Sequence, residues 1–136
     1  MEHDSESEPI SKQKQRIVNK MIVYSIALGL FDCFVPESSP AFIFVVNIPL
    51  LAMGVSWCRV DAEQYNINFS RLWVFALALF FIVALPIHML RTRGIRGVPV
   101  SIAAMLFLGA LFALEYATQI VTLEIGDALG FWQFEM

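Results

Sequence analysis

The sequence predicts an all-α integral membrane protein with four transmembrane helices, and three observations carry that reading. Of 136 residues, 58% are hydrophobic and only 15% are charged, whereas a water-soluble chain keeps roughly a quarter of its residues charged. The charges are gathered into a few stretches separated by long uncharged intervals. The interval 72–90, LWVFALALFFIVALPIHML, contains no acid and no Lys or Arg. As one helix it would be ~28 Å long at ~1.5 Å per residue, close to the ~30 Å of a hydrocarbon core.

Residues 1–15 read as a disordered N-terminal tail, acidic and then basic, because Glu2, Asp4, Glu6 and Glu8 stand among serines with little apolar surface to offset the entropy of ordering. The transmembrane domain is expected over 16–123. Its first span, 17–35, opens with Lys20 and ends near Asp32, and its apolar part 21–35 is short at ~22 Å. MIVYSIALGLF is apolar on every side, unlike an interfacial helix, which carries a charged face. A cleaved leader is disfavoured because the small-residue cleavage pattern is poor.

The turn 36–40, PESSP, is made of helix breakers and leads into the second span, 41–57. Asn47 lies inside that span and Pro49 follows it, so a kink is expected there. The polar loop 58–70, CRVDAEQYNINFS, separates this span from the third, 71–90, for which Ser70 is a good N-cap. Pro86 predicts a second kink. RTRGIRG at 91–97 forms a basic turn, the fourth span covers 98–121, and residues 124–136 form a short acidic, aromatic tail.

Four spans put the N-terminus, the loop 58–70 and the C-terminus on one side. The Lys and Arg count is then six there against three in the turn 91–97, which makes the first side cytoplasmic. The compact basic turn falls outside, against the trend. The alternative, three spans plus an interfacial first helix, changes the count to seven against two. All-round hydrophobicity favours four. In either arrangement Asp61 and Glu63 lie across the membrane from Arg91 and Arg93 and are not expected to pair with them.

Ionisable and polar groups at membrane depth are candidate functional positions. They are Glu115, near the far interface, Asn47, His88, within a turn of the basic loop, and Asp32, expected beside Arg91, Arg93 or Arg96. Cys33 and Cys58 fall at opposite ends of the first hairpin, so no disulfide is expected. Small residues four apart predict close helix packing: Gly109, Ala113 and Ala117 on the fourth helix, Ser25 and Gly29 on the first, Ala52 and Ser56 on the second. There is no glycine-rich phosphate loop, no GxSxG, HExxH or CxxC, and His3 and His88 are the only histidines. No catalytic residue, metal site, cofactor or nucleic-acid partner is expected.

WCRVDAEQYNI after the second span and LPIHMLRTRGIRG at the end of the third resemble features of small bacterial multispan membrane proteins with no assigned function. Trp57, Asp61 with Ala62, Pro86 and the turn Arg91-Thr92-Arg93-Gly94 carry the likeness. It implies a bacterial inner-membrane protein with four helices and brings no activity. The expected function is non-enzymatic: a protein partnered by the lipid bilayer and by other transmembrane helices, as accessory subunit of a complex or homo-oligomer. The alternative is a small oligomeric transporter or channel.

Overall fold

The computed structural model describes residues 9–35 and 39–130. The acidic start of the chain, most of the PESSP turn and residues 131–136 lie outside the described residues. Every described element is helical: α1 (Ile10–Asp32), α2 (Pro40–Gln64), α3 (Arg71–Leu79), α4 (Phe81–Arg93), a single 3-10 turn (Gly94–Arg96) and α5 (Gly97–Ala128).

The helix starts follow local chemistry. The α1 helix begins directly after Pro9, ahead of the expected start at 17, because the Lys- and Gln-rich stretch 12–16 consists of straight-chain residues that lose little rotamer freedom in a helix. At α2 the Ser39 hydroxyl accepts from the Phe42 N–H at 3.3 Å, and Pro40 occupies the first turn, where its missing N–H costs nothing. Ser70 caps α3 in the same way through the Trp73 N–H, as its sequence predicts. Pro49 and Pro86 both lie inside helices that continue past them.

The third expected span is not one helix. It breaks at Phe80, whose backbone leaves the helical region at φ −128°, ψ 42°, and the chain reverses there. Trp73 and His88 would stand ~22 Å apart in a continuous helix, yet the Trp73 Nε1–H donates to His88 Nδ1 at 3.1 Å. Thus α3 and α4 form a helical hairpin, with arms of 9 and 13 residues. Each is well short of the ~20 residues a crossing needs. The reversal leaves little backbone unsatisfied, since the Phe80 N–H bonds the Ala76 carbonyl and the Phe80 carbonyl accepts from Val83 and Ala84.

Contacts along the remaining helices fix their directions. From one end to the other, α2 meets α1 at Asp61 with Lys14, Leu50 with Met21, Val46 with Tyr24 and Phe42 with Phe31, so the two are antiparallel. Met21 packs with Leu111, Gly29 lies against the Glu115 carbonyl, and Cys33 reaches the Gln119 carbonyl, so α5 runs parallel to α1. Hence α1, α2 and α5 run the full height of the bundle, while the α3–α4 hairpin rises partway from the end where Asp61 lies and returns to it. The described N-terminal end of α1 and the C-terminal end of α5 are at opposite ends of the bundle, which corrects the expectation of a shared side.

Two apolar clusters form the core. Cys58, Leu77, Ala84, Leu85 and Met89 bind the hairpin to α2, and Met21, Leu50 and Leu111 tie the three long helices at mid-height. Glycine permits a close approach at Gly54, where the Phe81 ring comes 2.7 Å from the point a Cβ would occupy, and Gly94, at φ +59°, supplies the left-handed backbone of the sharp exit from α4. Two helical stretches, Pro40–Gln64 and Phe81–Ala128, are long and apolar enough to cross a membrane, the latter folded at the turn Gly94–Arg96. Only 17% of each apolar window is buried inside the chain, unlike the core helix of a soluble protein. Leu72, Leu79, Ile82 and Leu106 all point outward at 70–80% exposure, an apolar exterior suited to lipid.

Candidate functional site

The feature that the fold builds most deliberately is a polar cluster around Asp61, at the end where α1 begins, α2 ends and the hairpin has its base. The Asp61 side chain is fully buried. Its Oδ1 accepts from the Lys14 ammonium of α1 and, at 2.5 Å, from Arg93 Nη2 of α4. Its Oδ2 lies 3.7 Å from His88 Nε2, beyond hydrogen-bond distance but within strong electrostatic reach. One carboxylate therefore joins three helices. Lys14 also donates to Gln64 Oε1 at 2.6 Å.

Aromatic rings close the cluster on its sides. The Lys14 ammonium sits 5.0 Å from the centre of the Trp57 ring, Arg93 lies 5.1 Å over Tyr65, and Arg91 lies 5.4 Å over Trp73, all within cation–π range. Phe69 meets the His88 ring edge-on at 5.8 Å. These rings exclude water from the carboxylate, which strengthens each ionic contact and raises the cost of losing any one of them.

The tautomer of His88 follows from its neighbours. Trp73 can only donate, so His88 Nδ1 must accept and the ring proton sits on Nε2, facing Asp61. The chain Trp73, His88, Asp61 then runs from the outer arm of the hairpin to the two cations. Its chemistry is that of a latch: Asp61 offers a negative charge to Lys14 and Arg93, and His88 couples the latch to α3. Lys14 and Arg93 leave one positive charge beyond what Asp61 balances. Among the described residues no group of three His, Cys, Asp or Glu side chains comes together as a metal site.

His88 belongs to this cluster, and the other predicted positions do not. Glu115 and Asp32 stand side by side at the opposite end, within hydrogen-bonding reach of each other. Asp32 is thus far from Arg91, Arg93 and Arg96, against expectation, because the hairpin returns those arginines to the other end. Arg93 conversely pairs with Asp61, the contact that the four-span arrangement forbids. Asn47 donates its amide to the Ile43 carbonyl of its own helix at 2.9 Å, and does not bond a neighbouring helix through that group.

The small residues divide. Ser25 and Gly29 are buried, with Gly29 against α5 at Glu115 and Thr118. Ala52 and Ser56 are exposed, and α2 uses Gly54 for its close contact instead. On α5, Gly109, Ala113 and Ala117 all face outward, and nothing lies within 4 Å of the point where a Gly109 Cβ would be.

Sequence reasoning missed Lys14, Asp61, Gln64, Trp73 and Arg93. The available signal was the misplaced charge of the turn 91–97, which the hairpin explains. No protein-family model, curated protein or solved structure matches the chain.

Proposed function

We propose that this chain is a non-enzymatic bacterial inner-membrane protein acting through helix–helix contacts, as accessory subunit of a membrane complex or as a homo-oligomer, with its N-terminus cytoplasmic. In this reading α1, α2 and α5 cross the bilayer, and the α3–α4 hairpin enters from the cytoplasmic side and returns to it.

Charge distribution supports the orientation. Eight of the nine Lys and Arg lie at the Asp61 end of the bundle. The ninth, Lys20, is deeper on α1, where Cβ atoms tilt toward the helix N-terminus and carry the ammonium toward that same end. A count of nine against none obeys the positive-inside rule better than six against three.

The observation that carries the docking role is the outward stripe Gly109, Ala113, Ala117. Inside the bundle the chain uses small residues where helices touch, at Gly29 and Gly54. The same device stands uncovered on α5, where in lipid it favours approach of another helix. Purification in mild detergent followed by light scattering and mass spectrometry tests this. An oligomer or a defined partner is expected, and Gly109→Leu should disperse it. Recovery of wild type solely as a monomer counts against the proposal.

The alternative, a small transporter or channel, draws on the hairpin, since non-helical reversals at membrane depth often line ion paths. Against a path within one chain, the Asp32–Glu115 pair and the Asp61 cluster are separated by the apolar contact of Met21, Leu50 and Leu111. Proton or cation flux in proteoliposomes that disappears in Glu115→Gln would favour this alternative.

A further inference from the structure

His88 of α4 stands between two helices and offers a different nitrogen to each. On one side, Trp73 of α3 donates its Nε1–H to His88 Nδ1 at 3.1 Å. On the other, His88 Nε2 faces Asp61 Oδ2 of α2 at 3.7 Å. His88 and Asp61 are both buried, and neither Nε2 nor Oδ2 makes a hydrogen bond among the described residues. Lys14 and Arg93 both take Oδ1, so Oδ2 is the open acceptor of the carboxylate. The other ionisable groups around the cluster are Cys58 on α2, Tyr65 in the loop after it and Arg91 on α4. Glu63 pairs with Arg59 on the outside of α2, Arg71 is exposed at the start of α3, and α5 carries no ionisable residue before Glu115.

A neutral imidazole has one acceptor nitrogen and one donor, whereas an imidazolium donates at both. Trp73 has only a donor to offer, so a proton on Nδ1 sets two donors against each other and the bond to α3 is lost. The same proton makes Nε2–H a charged donor aimed at the open oxygen of Asp61, which favours closing the 3.7 Å gap to a charge-assisted hydrogen bond. We propose that His88 is a proton-operated switch at the base of the hairpin: neutral, it holds α3 through Trp73; protonated, it releases α3 and binds α2 through Asp61. Lys14 and Arg93 keep α1 and α4 on Asp61 in both states. The released arm is the nine-residue α3, and its departure uncovers Leu77, which is fully buried while the arm is docked. Histidines as a class change charge between about pH 5 and 8, so a modest acidification is the signal such a switch reads. The device depends on contacts within one chain and not on the docking role of α5, so a monomer would show it.

Spin labels at Leu72 and Leu90, both exposed and at the base of the two arms, report the separation of α3 from α4 in the full chain in detergent, with Cys33 and Cys58 replaced by alanine. One short distance is expected at about pH 8, and a longer population should grow about fivefold by about pH 5, the equilibrium worth of one hydrogen bond. His88→Gln, whose amide oxygen can accept from Trp73 but gains no charge, should give the same distances at both pH values. Trp73→Phe has no such bond to lose and should show the longer population already at the higher pH, with little further change on acidification. In the unlabelled chain the Trp73 indole N–H resonance, assigned by its absence in Trp73→Phe, should move with pH in wild type and stay fixed in His88→Gln. A wild-type hairpin with one distance at both pH values would overturn the proposal. So would a pH response of wild-type size in His88→Gln or in Trp73→Phe, since the proton would then act elsewhere.

Discussion

The stretches 40–64 and 71–93 are close in length and both strongly apolar, yet one forms a single rod and the other folds in half. The rod contains a proline at its interior, Pro49, and continues through it. The folded stretch breaks at Phe80, six residues before its own proline and with no glycine nearby. Local helix-breaking chemistry therefore does not decide between them. The difference lies at the ends. On α2 the polar groups lie at one end, at Asp61 and Gln64, and the other end is apolar from Ala41 onward. On the hairpin both ends carry groups drawn to Asp61: Arg93 bonds it directly, and Trp73 reaches it through His88. A segment tethered to the same point at both ends cannot cross.

The comparison breaks most visibly if the tether is removed. Asp61→Ala leaves Lys14 and Arg93 facing each other without their shared anion. Loss of one partner of a buried pair costs ~3–5 kcal/mol, and the 15% and 18% exposure that those cations keep puts the expected loss near the lower end, about 3 kcal/mol. Thermal unfolding in detergent measures it. Spin labels at Leu72 and Leu90, both on the surface, should report a separation far below the ~27 Å of a continuous helix in wild type, and a longer one in the variant. A long distance in wild type would end the hairpin description.

A smaller effect probes the wall against which the hairpin rests. Gly54→Leu forces a side chain into the Phe81 ring and should cost roughly 1–3 kcal/mol by overpacking, read from the same unfolding curves. Trp73→Phe keeps the ring but removes the donor to His88, for an expected loss of about 1 kcal/mol. Gly109→Ala should change monomer stability by less than about 0.5 kcal/mol, because no atom lies near its Cβ position. Any effect of that substitution on assembly size would then belong to the α5 surface alone.

Much of this was legible from the chain itself. Helical class follows from apolar runs too long for strands, and the starts of α2 and α3 follow from Ser39-Pro40 and Ser70. The hairpin was not legible, because FALALFFIVALPIHM reads as an uninterrupted apolar helix and the ion pair that ties its base down is made with a residue far away in sequence, Asp61. Sidedness of charge did register the conflict. It appeared as a basic turn on the wrong side, and the stretch that fails to run the full height is 71–93, whereas the first segment, which hydrophobicity left short, does run it. His88 was visible as a lone histidine near the basic turn, but its partner Trp73 depends on the reversal. Gly54 and Ala52 are equally small, and only the position of Phe81 distinguishes them.

The separation of charge along the bundle also makes the molecule a long electric dipole. Lys and Arg occupy the Asp61 end, and the described residues toward the other end carry Asp32, Glu115, Glu124 and Asp127 without a compensating cation. In a membrane negative inside, a full charge moved across 100 mV changes the energy by ~2.3 kcal/mol. In the orientation proposed above, with the basic end on the negative side, the membrane voltage acts on both ends in the same sense and favours that orientation over its inverse.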